Sequence, residues 1–236
     1  MPLPVEIHME DFGMDQKLNY FEIGFHGDQY LISLIFSLLK HADLFIETGA
    51  STGSSLVYTG RNFPELKCYS CEPREEAFNQ ARINSEKFKN IEITNIQSLD
   101  FLRDLVENGK VRPWDKCLFW LDAHGLGFEW PLQKELSFIT SRFKKSWIFI
   151  DDFMVPDRPQ FGYDKYNDQI CNIDYIKDHL YLDDDHEIYV PSYTEKTSKH
   201  HPLRGWILII NGKVQEERNC LRKKYIRQIQ LDSSKK

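Results

Sequence analysis

Two short stretches carry the residues best equipped for chemistry. In "CLFWLDAHG" an apolar run ends in Asp122, with His124 two positions on, and in "SWIFIDDF" another ends in Asp151 and Asp152. Ligands of open parallel sheets bind beyond the carboxyl ends of the strands, so these acids are expected in one crevice. Three carboxylates in a low-dielectric cleft repel one another unless they are protonated or bridged by a cation. A hard divalent ion such as Mg2+, which takes oxygen ligands and keeps some water, relieves that repulsion. A histidine beside such a set suits a general base, because its ordinary pKa lies near neutrality. Plainer roles exist for each: Asp152 capping a turn, Asp122 orienting a loop, His124 donating a structural hydrogen bond.

A second group lies earlier, in "FIETGASTGSS" and "SCEPREEAF". Glycines between a strand and a helix let backbone approach a ligand, and the helix start offers free N–H groups. Gly49 and Gly53 are separated by "AST", which is not the dinucleotide spacing, yet Glu72 follows Gly53 by 19 residues. That is where a ribose-binding carboxylate belongs in nucleotide-binding α/β folds. Glu47, immediately before the turn, would repel a pyrophosphate and favour a ligand carrying an ammonium or sulfonium group. S-adenosylmethionine combines that charge with a ribose.

On these residues the chain resembles the class I S-adenosylmethionine-dependent methyltransferases, from about Asp28 to Asn211. The family's first motif runs acid-x-Gly-x-Gly-x-Gly, and here Ser51 replaces its middle glycine. The resemblance implies that Gly49 and Gly53 flank the methionine moiety, that Glu72 binds the ribose, and that Gln97 and Ser98 lie near the adenine. Glu47, Ser51 and Asp122 complete the implied cofactor set. The acids at the strand ends look like those of the macrocin-type and catechol-type metal-dependent O-methyltransferases, implying Mg2+ on Asp122, Asp151 and Asp152. Macrocin-type enzymes place a catalytic base at the offset of His124, usually as an aspartate. The implied catalytic pair is therefore His124 and Asp122, acting on a hydroxyl of a sugar-containing or other small-molecule acceptor or glycan precursor. Metal-free N- or O-methyl transfer, or a non-catalytic methyltransferase-like binding or scaffold protein, are the alternatives.

The elements that must position these residues follow from hydrophobic patterning. Near-continuous apolar runs at "DLFIE", "LKCYSCE", "NIEITNI", "KCLFWLD" and "SWIFIDD" alternate with helix-like segments, the first capped by Asp28. This predicts an α/β, Rossmann-like doubly wound sheet with helices on both faces. With "HEIYVPSY" and "GWILIIN" as a C-terminal antiparallel hairpin, the sheet should have seven mostly parallel strands. "DQICNIDYIKDHLY" is expected to be helical. The organisation is a lead-in at 1–27, a methyltransferase domain at 28–212, and a basic tail at 213–236 expected as a solvated helix with a frayed end.

The 236 residues, 41% apolar and 14% aromatic, suffice for one packed domain. A net charge of −6 gives no basic footprint for nucleic acid, and no nucleic-acid partner is expected. The five cysteines include "CYSC", which lacks a second such pair, so reduced buried thiols are expected. The acidic opening has no leader-like apolar core, and "YLISLIFSLL" is too short for a membrane span. A cytoplasmic protein is expected, with homo-oligomerisation left open. Above the sheet, Trp130, Phe161, Tyr163 and Tyr166 could stack on an acceptor, and Arg158, His200, His201 and Arg204 could meet a phosphate or carboxylate. Ordinary packing or solvation is the commoner role for each.

Overall fold

The computed structural model describes residues 24–125, 129–194, 202–212 and 225–231. In chain order the elements are α1 (Gln29–Leu39), β1 (Leu44–Thr48), α2 (Ser54–Asn62), β2 (Lys67–Cys71), α3 (Glu75–Ser85) and β3 (Ile91–Thr94). Next come α4 (Ser98–Glu107), β4 (Cys117–Leu121), α5 (Leu132–Arg142) and β5 (Ser146–Ile150). A small hairpin, β6 (Lys165–Tyr166) and β7 (Gln169–Ile170), precedes α6 (Ile173–Ile176), β8 (Glu187–Pro191), β9 (Ile207–Asn211) and β10 (Ile226–Ile229).

The main sheet runs β10-β8-β9-β5-β4-β1-β2-β3. Strands β1 to β5 are parallel, and β9 lies antiparallel to both β5 and β8. Every residue of β1, β4, β5 and β9 is buried, which explains their unbroken apolar sequences: helices cover both faces. Trp120, Trp147 and Trp206 fill the core with Phe119 of β4 and Phe149 of β5. Asp28 caps α1 as expected, accepting from the amides of Tyr30 and Leu31.

Register is what creates the site. Thr48 pairs with Cys71 on one side and Leu121 on the other, and Leu121 pairs with Ile150. The residues that follow, Gly49, Glu72, Asp122 and Asp151, therefore leave the sheet side by side. The order reverses at β1, and the crevice between the loops after β1 and β4 opens there.

Three expectations need correction. The seven expected strands are joined by an eighth, because Ile226–Ile229 pairs along the outer edge of β8 instead of forming a solvated helix. Ile226 is buried there, and the strand covers an edge that would otherwise leave its polar groups unpaired. The sheet thus extends past residue 212, while 213–224 and 232–236 lie outside the described residues. The helix expected over "DQICNIDYIKDHLY" breaks into β7, the single turn α6 and a 3-10 turn at Lys177–His179. Asn172 starts that turn by accepting from the Tyr175 amide, so the helix cannot run through it from further back. Finally, the lead-in, expected to be irregular throughout 1–27, ends in regular structure. Residues 25–27 form a 3-10 turn whose Phe25 is buried, while 1–23 lie outside the described residues.

Cys68, Cys71, Cys117 and Cys171 are free and buried, as expected, and burial pushes the Cys68 thiol up to about 12. Among the described residues, no helix is long and apolar enough to cross a membrane.

Candidate functional site

The loop after β1 is built by backbone conformation. Gly49 has φ 81°, and a Cβ there would lie 2.4 Å from the Asp122 carbonyl oxygen, so two loops meet through a missing side chain. The amides of Gly49 and Ala50 both donate to the Cys71 carbonyl. Ser51 takes a positive φ of 49° in spite of its side chain, and its amide donates to Glu72 Oε2 at 2.8 Å. Glu72 is buried and also accepts from the Arg74 amide at 3.0 Å and from Arg74 Nε at 2.8 Å. A carboxylate thus ties the β1 and β2 loops together at the cavity wall.

Glu47 belongs to a different layer. Its side chain is buried beneath the turn, accepts from Ser70 Oγ at 2.8 Å, and is absent from the cavity wall. Burial, which favours the neutral form, pushes its carboxyl up to about 8 against the Ser70 hydrogen bond. The acid expected to face a cationic ligand is instead buried within the sheet, turned to Ser70. A carboxyl held protonated in the fold contributes stability below the ordinary glutamate range and loses it as pH rises through about 8. Glu135, fully buried and pushed up to about 7 by burial, acts in the same direction. Glu47→Gln is expected to flatten the fall in Tm between about pH 5 and about pH 9 and to melt above wild type at the alkaline end. Parallel melting curves for the two proteins would rule this out.

At the other end of the crevice, acids and cations alternate. His124 lies between two carboxylates, Nε2 at 3.1 Å from Asp122 Oδ1 and Nδ1 at 2.7 Å from Asp164 Oδ2. His26, from the 3-10 turn, places Nε2 at 2.6 Å from Asp151 Oδ2. Arg204 Nε lies 2.8 Å from Asp152 Oδ1. Burial opposes the charge on both histidines, but Asp151 lifts His26 to about 9, and Asp122 with Asp164 lifts His124 to about 11. Burial and the charges of Asp151 and Asp122 push Asp152 up to about 8. The loop after β5 reaches this point because it is stitched to the strand leading into β9. The Phe153 amide donates to the Gly205 carbonyl and the Gly162 amide to that of Leu203.

One cavity of about 340 Å³ joins the two ends. Gly49, Ser51, Glu72, Gln97, Ser98, Asp122, His124 and Asp152 line it, together with His26, Arg74 and Arg204. No family model matches the chain, and no protein of curated function matches it significantly. Solved structures do. A Klebsiella pneumoniae protein provisionally described as an O-methyltransferase superposes with TM-score 0.58 at 14% identity, covering 86% of this chain and 86% of that one. An O-methyltransferase from Bacillus cereus in complex with SAH gives 0.56 at 16% identity, covering 82% and 84%. The O-methyltransferase TomG from Streptomyces achromogenes, involved in tomaymycin synthesis and solved with SAM, gives 0.55 at 14%, covering 77% and 78%. The chain has the class I methyltransferase fold.

Within that methyltransferase fold, two expected cofactor residues fall outside the cavity: Glu47, and Gly53, which faces Ala81 of α3 and borders a separate groove between α2 and α3. Asp151 sits behind the cavity wall, facing His26. Of the acceptor-side residues, Phe161 is buried against Tyr193, and Trp130 stacks on Tyr175 at 4.6 Å with Tyr166 edge-on at 5.0 Å. Tyr163 is exposed and Arg204 reaches the cavity, while His200 and His201 lie outside the described residues. His26, Arg74 and Asp164 were not singled out from sequence. The signals were slight: a histidine two positions before a helix cap, and charged residues in loops.

For a divalent ion, two overlapping sets among the described residues bring their donor atoms within 4.8 Å of one another: His26, Asp151 and Asp152, and Asp122, His124 and Asp152. The three expected carboxylates are divided between these sets, with Asp152 common to both, so each set offers two carboxylates to a divalent cation and neither holds all three. Each set also contains an imidazole nitrogen, a donor that ions softer than Mg2+ accept more readily.

Proposed function

We propose that the chain transfers a methyl group from S-adenosylmethionine to a hydroxyl of a small, sugar-containing or similarly polar acceptor. The observation that carries this is the continuous cavity running from Glu72, Gln97 and Ser98 to the Asp122–His124 pair. The structural neighbours solved with SAM and SAH support the choice of cofactor. Buried reduced thiols suit the cytoplasm as the place of reaction.

In the proposed reaction the acceptor oxygen bonds to the methyl carbon as the carbon–sulfur bond breaks and S-adenosylhomocysteine leaves. The hydroxyl proton passes to the Asp122–His124 pair, whose carboxylate can take it. A divalent cation held by Asp151 and Asp152, the expected ligands that share one donor set, would lower the hydroxyl's pKa. The chain's own task is to hold donor and acceptor in line and keep water away. Titration calorimetry with S-adenosylmethionine is the direct test, and no binding at millimolar cofactor ends the proposal. Activity that survives both EDTA and Asp151→Ala removes the metal from it. Metal-free transfer is the second reading, favoured because His26, His124 and Arg204 already face Asp151, Asp122 and Asp152.

His124 has both ring nitrogens turned to carboxylates, and an imidazolium in that clamp has no lone pair for a substrate proton. Its contribution in this proposal is a fixed positive charge and a fixed Asp122. His124→Asn is expected to lower kcat about 100-fold, comparable to losing one preorganised electrostatic group, with the SAM Kd moving less than about twofold. Turnover at the wild-type rate would reduce His124 to scaffold.

A further inference from the structure

We infer that His26 is a metal ligand, and that with Asp151 and Asp152 it selects a nitrogen-accepting divalent transition metal over Mg2+. The inference rests on the methyl-transfer reading for its purpose, though not for its chemistry.

The turn that carries His26 is fixed from both sides. It closes through Gly27 N to Gly24 O at 3.0 Å and Asp28 N to Phe25 O at 3.1 Å. On one side Phe25 sits edge-on to Trp120 at 4.9 Å, and its amide donates to Ser55 Oγ. On the other, Asp28 caps α1 with Oδ1 and accepts the Tyr193 hydroxyl with Oδ2, and Trp206 Nε1 donates to that hydroxyl at 3.1 Å. Between these anchors His26 holds a left-handed φ of 56° and delivers Nε2 to Asp151, where a metal ion would displace the proton that now bridges the two. A residue held this firmly in a rarely populated conformation is placed by the whole core, not by its own loop.

The third donor supplies a separate observation. Asp152 Oδ1 is buried and makes no hydrogen bond, and its approach to Arg204 Nε at 2.8 Å lacks hydrogen-bond alignment. Arg204 has a second carboxylate within reach, with Nη2 at 3.9 Å from Asp164 Oδ1. An ion between His26, Asp151 and Asp152 would share the Asp152 carboxylate with Arg204, which stays within ion-pair distance of Asp164. Mg2+ demands near-octahedral oxygen ligation and surrenders water reluctantly, whereas imidazole mixed with carboxylate suits Mn2+, Fe2+, Co2+ and Zn2+.

The test uses Co2+ and Mg2+ as probes on the full chain. Wild type is expected to bind Co2+ at least about 10-fold more tightly than Mg2+, following donor type. His26→Gln should cost Co2+ at least about 10-fold while leaving Mg2+ almost unmoved. The Co2+-loaded wild type should also show a paramagnetically shifted imidazole N–H resonance, one that His26→Gln lacks. Equal affinity for the two ions, no shifted imidazole signal, or no metal binding overturns the inference, and none of these outcomes depends on the variant folding. Calorimetry with S-adenosylmethionine on the same preparation separates the two failures. Cofactor binding without Co2+ binding defeats this inference alone, and the reverse defeats the methyl-transfer reading alone.

Discussion

Gly49→Ala is expected to abolish measurable S-adenosylmethionine binding and to lower Tm by about 5–15 °C, given about 2–4 °C per kcal/mol for a chain of this size. Two costs combine. A non-glycine residue in the left-handed region costs about 1–2 kcal/mol, and Gly49 sits at φ 81°. The new Cβ would also lie 2.4 Å from the Asp122 carbonyl oxygen, 2.7 Å from its carbonyl carbon and 2.8 Å from Ala123 Cα. All three are backbone atoms, so no side chain can swing aside. Overpacking of this kind costs about 1–3 kcal/mol, and relief requires the β1 and β4 loops to separate. Those adjoining loops both line the cavity, so binding suffers beyond the loss of stability. Calorimetry and thermal melts on one preparation check both effects. An alanine variant that binds cofactor within about threefold of wild type would show that the loops can separate without harm.

The parallel core was legible because strands covered on both faces have little choice of composition. "DLFIE", "KCLFWLD" and "SWIFIDD" are apolar for as long as they are buried, and the acids after them mark the sheet's carboxyl edge. Parallel register then places Asp122 beside Gly49 without further information. Glu47 shows where that logic fails. A residue inside a strand points above or below the sheet, and only one beyond its end can face the crevice. Thr48 still pairs with Leu121, so Glu47 falls within the strand and turns toward Ser70. His26 was hidden for a different reason. Its placement depends on Phe25 reaching Trp120, a contact between residues far apart in sequence that no local pattern reports. Arg204 and Asp164 meet the site only through backbone bonds between the loop after β5 and the approach to β9. The eighth strand was masked by polarity, since Arg227 and Gln228 interrupt Ile226 and Ile229 within a basic tail.

Glu72→Ala is expected to weaken S-adenosylmethionine binding at least about 100-fold, since each hydrogen bond to a charged group contributes about 1.5–3 kcal/mol and a ribose offers two hydroxyls. Part of the loss would come from the protein itself. Glu72 accepts from the Ser51 amide, the Arg74 amide and Arg74 Nε, and its removal frees the turn that Ser51 holds at positive φ. Glu72→Gln should lose less, because one oxygen remains an acceptor while the new amide N–H2 confronts existing donors. The brace and the ribose contact can be told apart by pairing each protein with a cofactor product lacking one ribose hydroxyl. If Glu72 holds the ribose, deleting the hydroxyl costs wild type at least about 10-fold but costs Glu72→Ala almost nothing, the non-additivity of direct partners. If it only braces the loop, the two losses add. Additive losses would leave the cavity intact and move ribose recognition to another part of its wall, with Arg74 the nearest polar group.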